Sequence, residues 1–113
     1  MQQRDLGAVL DIALSCRDIA DFLEGLCVDQ FLDDKRTQSA VIHQIMVIGE
    51  AVKRLSREFR SEITEVPWTA IAGMRDSLIH GYDEVDVKKV WQVATTEVPD
   101  LLILLEPLLP PGE

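Results

Sequence analysis

The sequence predicts an all-α protein, an antiparallel bundle of four or five helices. Apolar residues recur at three- and four-residue steps along almost the whole chain. Strand alternation, β-branched runs between turns and hairpin dipeptides are missing, and no internal repeat appears. The length of 113 residues suits one hydrophobic core, so a single domain over 1–113 is expected.

The first helix is written in Leu6, Val9, Leu10, Ala13, Cys16, Ile19, Ala20, Leu23 and Leu26, with Arg4, Asp11, Arg17, Asp18, Asp21 and Glu24 mostly between them. It should end near Gly25 to Val28. The connector DQFLDDKRT then offers Asp33, Asp34 and Thr37 as caps for a second helix, from about Thr37 to about Arg60. Its core stripe reads Val41, Ile42, Ile45, Ile48, Gly49, Val52 and Leu55, and a glycine in mid-helix, costing roughly 1 kcal/mol against alanine, points to a close helix contact. His43, Val47, Glu50, Arg54 and Arg57 share another face, where a Glu50–Arg54 pair would add only a few tenths of a kcal/mol.

A third helix opens at Pro67, tolerated in a first turn, carries Trp68, Ile71, Ala72, Met74, Leu78 and Ile79 inward, and should end at Gly81. The last helix opens after Asp86 as a cap and runs through Val90, Trp91, Ala94, Val98, Leu101 and Leu105. Pro99 must kink it or split it in two.

Composition limits the function. With 47 % apolar residues and 27 % charged, the chain should fold. The most apolar stretch, LLILLEPLL, is broken by Glu106 and Pro107, well short of a membrane span, so a cytoplasmic protein without membrane association is expected. Cys16 and Cys27 lack partners at metal-binding spacing and read as buried free thiols. The net charge of −9 argues against nucleic acid when taken alone. Its distribution is uneven: residues 35–60 carry six basic side chains (Lys35, Arg36, Lys53, Arg54, Arg57, Arg60) against Glu50 and Glu58. A solvated helix face produces such an island too.

The stretch MRDSLIHGYDEVD holds the chemistry. Five residues turn about 140° on an unbroken helix, so Arg75 and His80 converge only if the helix ends beside them, which Gly81 as a C-cap would arrange. A helix C-terminus would then favour the protonated form of His80. Arg75 presents a planar fork matched to phosphate oxygens, and Tyr82 can stack on a base, donate a hydrogen bond or accept a modification. The set fits metal-independent cleavage of RNA: His80 exchanging a proton with a 2′-hydroxyl or a leaving 5′-oxygen, Arg75 stabilising phosphoryl charge, Tyr82 positioning the nucleotide. One motif histidine per chain, His80, cannot readily be acid and base in one step, whereas a dimer with both His80 residues in one cleft could be. The bland reading is a histidine favourable to the helix dipole beside a surface ion pair. A metal site of His80, Asp83 and Asp86 at three-residue steps is the weaker alternative.

The runs VIGEAVKRLSREFR, VPWTAIAGMRDSLIHGYDEVD and VWQVATTEVPDLL resemble the HepT family of HEPN-domain toxins, over about Ala40 to Leu105. The resemblance implies a HEPN-like homodimer with composite clefts, acting as the ribonuclease toxin of a toxin–antitoxin system on cellular RNA, with no cofactor. It also implies Arg75 and His80 as catalytic, and Tyr82 as the acceptor of AMP from an MntA-type nucleotidyltransferase antitoxin. Glu50, within the family-like GEA segment, would orient Arg75 or His80, with Arg54 beside it on the same stripe. Many relatives carry Asn where this chain has Asp76, whose carboxylate would oppose RNA or pair with Arg75. The alternative is a non-catalytic helical dimer serving as scaffold or substrate for a partner nucleotidyltransferase.

Overall fold

A computed structural model of the chain describes residues 1–80 and 84–111, of Ile79 and His80 the backbone alone. The helical bundle is as expected. Its elements are α1 (Gln3–Leu23), α2 (Val28–Leu32), α3 (Lys35–Arg54), α4 (Arg57–Glu62), α5 (Trp68–Ala72), α6 (Val87–Gln92) and α7 (Val98–Leu105). A two-stranded hairpin, β1 (Ile79–His80) and β2 (Glu84–Val85), interrupts the helices, with Ile79 opposite Val85 and His80 opposite Glu84 in antiparallel register.

The two long helices, α1 and α3, form the spine. They run antiparallel: Arg4 at the start of α1 donates to the Arg54 carbonyl at the end of α3 at 2.8 Å. The buried face of α1 is Ala8, Val9, Ile12, Ala13, Cys16, Ile19 and Leu23. Ile12, absent from the predicted stripe, lies at its centre, whereas Leu6 and Leu10 are half-buried and Ala20 is exposed. Val41, Ile45, Ile48 and Val52 of α3 meet this face, and Phe31, Leu78, Val90 and Leu105 close the core. Gly25, at φ 80°, turns the chain out of α1 in a conformation that a side chain would resist.

Of the three candidate caps, Asp34 starts α3, accepting from the Thr37 N–H at 3.1 Å and its hydroxyl at 2.6 Å, so the helix begins two residues earlier than expected. The Thr37 hydroxyl and N–H hold the Asp34 carboxyl below its usual value of 3.8. Asp86 caps α6 as expected, accepting from the Lys89 N–H at 3.1 Å. The connector before α3 is itself partly helical: α2 packs Phe31 on Trp91 of α6, ring centroids 5.3 Å apart.

Three expectations are corrected. The second helix does not reach Arg60: it stops at Arg54, and Ser56 caps the separate α4 by accepting from the Phe59 N–H at 3.2 Å. The reason lies fifty residues away. The buried Asp5 carboxylate accepts from the Ser56 N–H at 2.7 Å and its hydroxyl at 2.8 Å, drawing away the donor that would have continued the helix. The third helix does not reach Gly81, which lies outside the described residues. It ends at Ala72 with Gly73 as C-cap, and a 3-10 turn, Asp76–Leu78, leads into β1. Cys16 is buried, and that burial pushes its thiol up to about 12, but Cys27 is exposed at the start of α2.

Pro99 splits the last helix, as its missing N–H requires. A π-helical segment, Val93–Glu97, separates α6 from α7 and places Pro99 in the first turn of α7.

Gly49 brings α3 against the end of α5. A Cβ there would stand 3.1 Å from the Ala72 carbonyl oxygen. Gly49→Ala gains about 1 kcal/mol of helix propensity but costs about 1–3 kcal/mol in overpacking, so a net loss of about 1 kcal/mol is expected in denaturant unfolding. An unchanged or raised midpoint would mean that α5 gives way freely.

Candidate active site

Between Met74 and β1 the chain winds tightly, with its apolar side chains inward and its polar ones outward. Met74 and Leu78 are buried, at 6 % and 1 % exposure, and pin both ends of the segment. Between them Arg75, Asp76 and Ser77 are exposed. The backbone is held by Leu78 N–H to the Arg75 carbonyl at 3.0 Å and Asp86 N–H to the Leu78 carbonyl at 2.8 Å, and the Ser77 hydroxyl donates to the Met74 carbonyl at 2.7 Å.

Arg75 therefore stands on a well-anchored turn with its guanidinium open to solvent. Its Nη1 lies 3.4 Å from the Asp76 carboxylate, a long and exposed pair worth at most about 1 kcal/mol. The two side chains line a cleft of about 170 Å³ with Met46, Gly49, Glu50 and Lys53 of α3. Glu50 is thus brought to Arg75 as a neighbour across the cleft, although it pairs with Lys53 at 3.4 Å. The close approach of Gly49 to the Ala72 carbonyl brings α3 and the end of α5 together beside this cleft.

Arg54 is not part of this group. It pairs with Asp11 of α1 at 2.6 Å, on another face of α3, so the expected Glu50–Arg54 pair is replaced by two pairs with different neighbours. Periodicity had placed both on one stripe, but the four-residue step between them leaves each side chain free to lean either way around the helix.

His80 lies in β1, opposite Glu84, and not in the last turn of a helix. The favourable helix dipole expected for it is absent, because the helix that was to supply it ends at Ala72. What joins Arg75 to His80 is a turn and a strand. Tyr82 and Asp83 lie outside the described residues. Asp86, the remaining member of the metal alternative, caps α6 through its carboxylate.

Sequence reasoning missed the cleft between α4 and α5, lined by Arg57, Arg60, Ser61, Thr64, Trp68 and Thr69, with a volume of about 440 Å³. Its signal was present in the basic island of residues 35–60, but the break at Ser56 that turns α4 aside was not. Among the described residues no helix is long and apolar enough to cross a membrane.

Comparison with known proteins bears on the same segment. The model of the family described as "Ribonuclease HepT-like" matches residues 12–108. The Methanocaldococcus jannaschii protein named "Putative RNase MJ0127" is 39 % identical over 110 residues, covering 96 % of this chain and 91 % of its own. The Thermococcus cleftensis protein named "Probable ribonuclease HepT" is 42 % identical over 91 residues, covering 80 % of this chain and 83 % of its own. No solved structure matches the chain. With the family model spanning most of its length, including Arg75, His80 and Tyr82, the chain belongs to the HepT-like ribonuclease family.

Proposed function

We propose that this chain is a ribonuclease of the HepT type, the toxin of a toxin–antitoxin pair, cutting cellular RNA without a metal ion at a cleft completed by a second copy of itself. The observation that carries the reading is the placement of Arg75: an exposed guanidinium on a turn anchored by Met74 and Leu78, lining a cleft, with His80 on the strand that follows.

The chemistry follows from the residue types. An imidazole takes the proton of a ribose 2′-hydroxyl, and the 2′-oxygen forms a bond to the adjacent phosphorus as the bond to the 5′-oxygen breaks. The 5′-oxygen leaves with a proton from an acid, so the products are a 2′,3′-cyclic phosphate and a 5′-hydroxyl. Negative charge grows on the non-bridging oxygens, and the Arg75 fork meets it with two parallel donors. With one His80 per chain, a homodimer supplies base and acid from separate copies. Phosphate must displace Asp76 from Arg75, which the length and exposure of that pair make easy.

Tyr82 is the proposed point of control. Its phenol oxygen attacks the α-phosphorus of ATP on an MntA-type nucleotidyltransferase, pyrophosphate leaves, and the resulting AMP ester adds bulk and negative charge beside the cleft. Intact mass of the protein expressed with and without its genomic neighbour tests this, with RNA integrity followed in the same cells. One or more adenylyl units are expected with the neighbour, none in Tyr82→Phe, and degraded RNA only when the neighbour is absent. The second reading, a non-catalytic scaffold or substrate of that partner, is favoured by the Arg75–Asp76 pairing and predicts intact RNA in both cases.

A further inference from the structure

Of the six basic side chains between residues 35 and 60, Lys53 pairs with Glu50 and Arg54 with Asp11. For Arg57 and Arg60 no ion pair occurs among the described residues. In a chain of net charge −9, these two arginines stand together on the wall of one cleft.

Helix α4 sorts its charges by face. Arg57, Arg60 and Ser61, at three- and four-residue steps, line the 440 Å³ cleft against α5, whereas Glu58 and Glu62 line a separate cleft with Asp5 and Ser56. The cationic cleft is held in shape from three sides. Asp5 fixes the first turn of α4 through Ser56. Phe59 and Trp68 pack behind it with ring centroids 5.9 Å apart, and the Trp68 indole N–H donates to the Ile63 carbonyl at 2.8 Å. Trp68 is buried and therefore unable to stack on a base. Beside the apolar Val66, Pro67 and Ala70, the cleft offers two guanidinium forks with the exposed hydroxyls of Thr64 and Thr69. Such donors recognise phosphate oxygens and carry no base preference.

Helix α5 links this cleft to the Arg75 site. Thr69, near its start, lines the arginine cleft and Ala72, at its end, lines the Arg75 cleft, about 4.5 Å further along the axis. We propose that the Arg57–Arg60 cleft binds backbone phosphates of single-stranded RNA away from the point of cleavage, contributing affinity rather than chemistry. The identity of the ligand rests on the ribonuclease reading.

The test uses the full chain carrying His80→Ala, so that RNA survives, and a fluorescent single-stranded RNA of mixed sequence whose anisotropy is followed across a salt series. Adding R57Q and R60Q together should weaken binding roughly tenfold at low salt and flatten the slope of log affinity against log salt by about 1.4, since each phosphate contact to a single strand contributes about 0.7. R57K with R60K should keep most of the slope, and circular dichroism checks that all variants are folded. Unchanged affinity and slope in the glutamine pair would overturn the proposal, as it would if these arginines instead dock an acidic protein surface, while cleavage by the parent chain would still stand. Weakened binding combined with a parent chain that cuts no RNA would sustain the cleft and defeat the ribonuclease reading. Absence of RNA binding in every form would overturn both.

Discussion

His80→Ala is expected to reduce RNA cleavage by about 10²–10⁴-fold and to abolish the growth arrest caused by expression without the genomic neighbour. The loss should be chemical, not structural. The hairpin that carries residue 80 is held by backbone pairing, Ile79 with Val85 and His80 with Glu84, and by the Asp86 N–H on the Leu78 carbonyl, none of which uses the imidazole. Arg75→Gln should fall by a comparable factor, because a neutral amide cannot follow the charge that grows on the phosphoryl oxygens. Cleavage of a defined RNA by the purified variants, with end-group analysis for 2′,3′-cyclic phosphate, measures both. Full activity of His80→Ala would remove the histidine from the reaction, whereas a parent chain that cleaves no RNA would leave the scaffold reading in place.

Asp5→Ala should have the largest effect on stability, a loss of about 2–4 kcal/mol. The carboxylate is 1 % exposed and accepts two hydrogen bonds from Ser56, so its removal leaves a buried N–H and hydroxyl without an acceptor. Burial alone would raise the Asp5 carboxyl, but the Ser56 N–H and hydroxyl, the Gln2 backbone and the charge of Arg4 outweigh it and hold the group below 3.8. A carboxyl lowered on folding stabilises fully above its unfolded value, near 3.9, and loses that contribution as pH falls through the lower folded value. The stability gap between the parent and Asp5→Ala should therefore be constant above about pH 4 and narrow below it. Denaturant unfolding across pH 2.5–7 (about half-unit steps) would show it. A gap that stays constant down to pH 2.5, about a unit and a half under the unfolded value, would mean that Asp5 acts by shape alone.

Much of the bundle was legible because periodicity and caps are local signals. Asp34 and Asp86 are caps a few residues from what they cap, Gly49 announced a close contact, and Pro99 announced a break. The misreadings share a physical cause. Leu55 and Phe59 continue the apolar step of four straight through the end of α3, and only Asp5, fifty residues earlier, shows why the helix stops. Met74 and Leu78 keep the same step where the chain is a turn and a 3-10 segment, because two inward anchors four residues apart suit either path. At the site, a pair of Arg75 with Asp76 was one of two readings the sequence left open for that carboxylate, whereas the partners of Glu50 and Arg54 depend on which neighbouring element each side of α3 faces. The cleft at Arg57 and Arg60 needed the turn of α4, which is tertiary in origin.

The unequal environments of the two thiols give the molecule a built-in point of attachment. Cys16 is sealed in the core and stays protonated at neutral pH, whereas Cys27 is open to solvent. A maleimide dye or spin label under native conditions should react once per chain, at the start of α2, an element that lines neither arginine-bearing cleft between α3, α4 and α5. Two copies coming together would then carry one label each, so the separation between labels becomes a ruler for the assembled pair, read without altering a residue of the reaction.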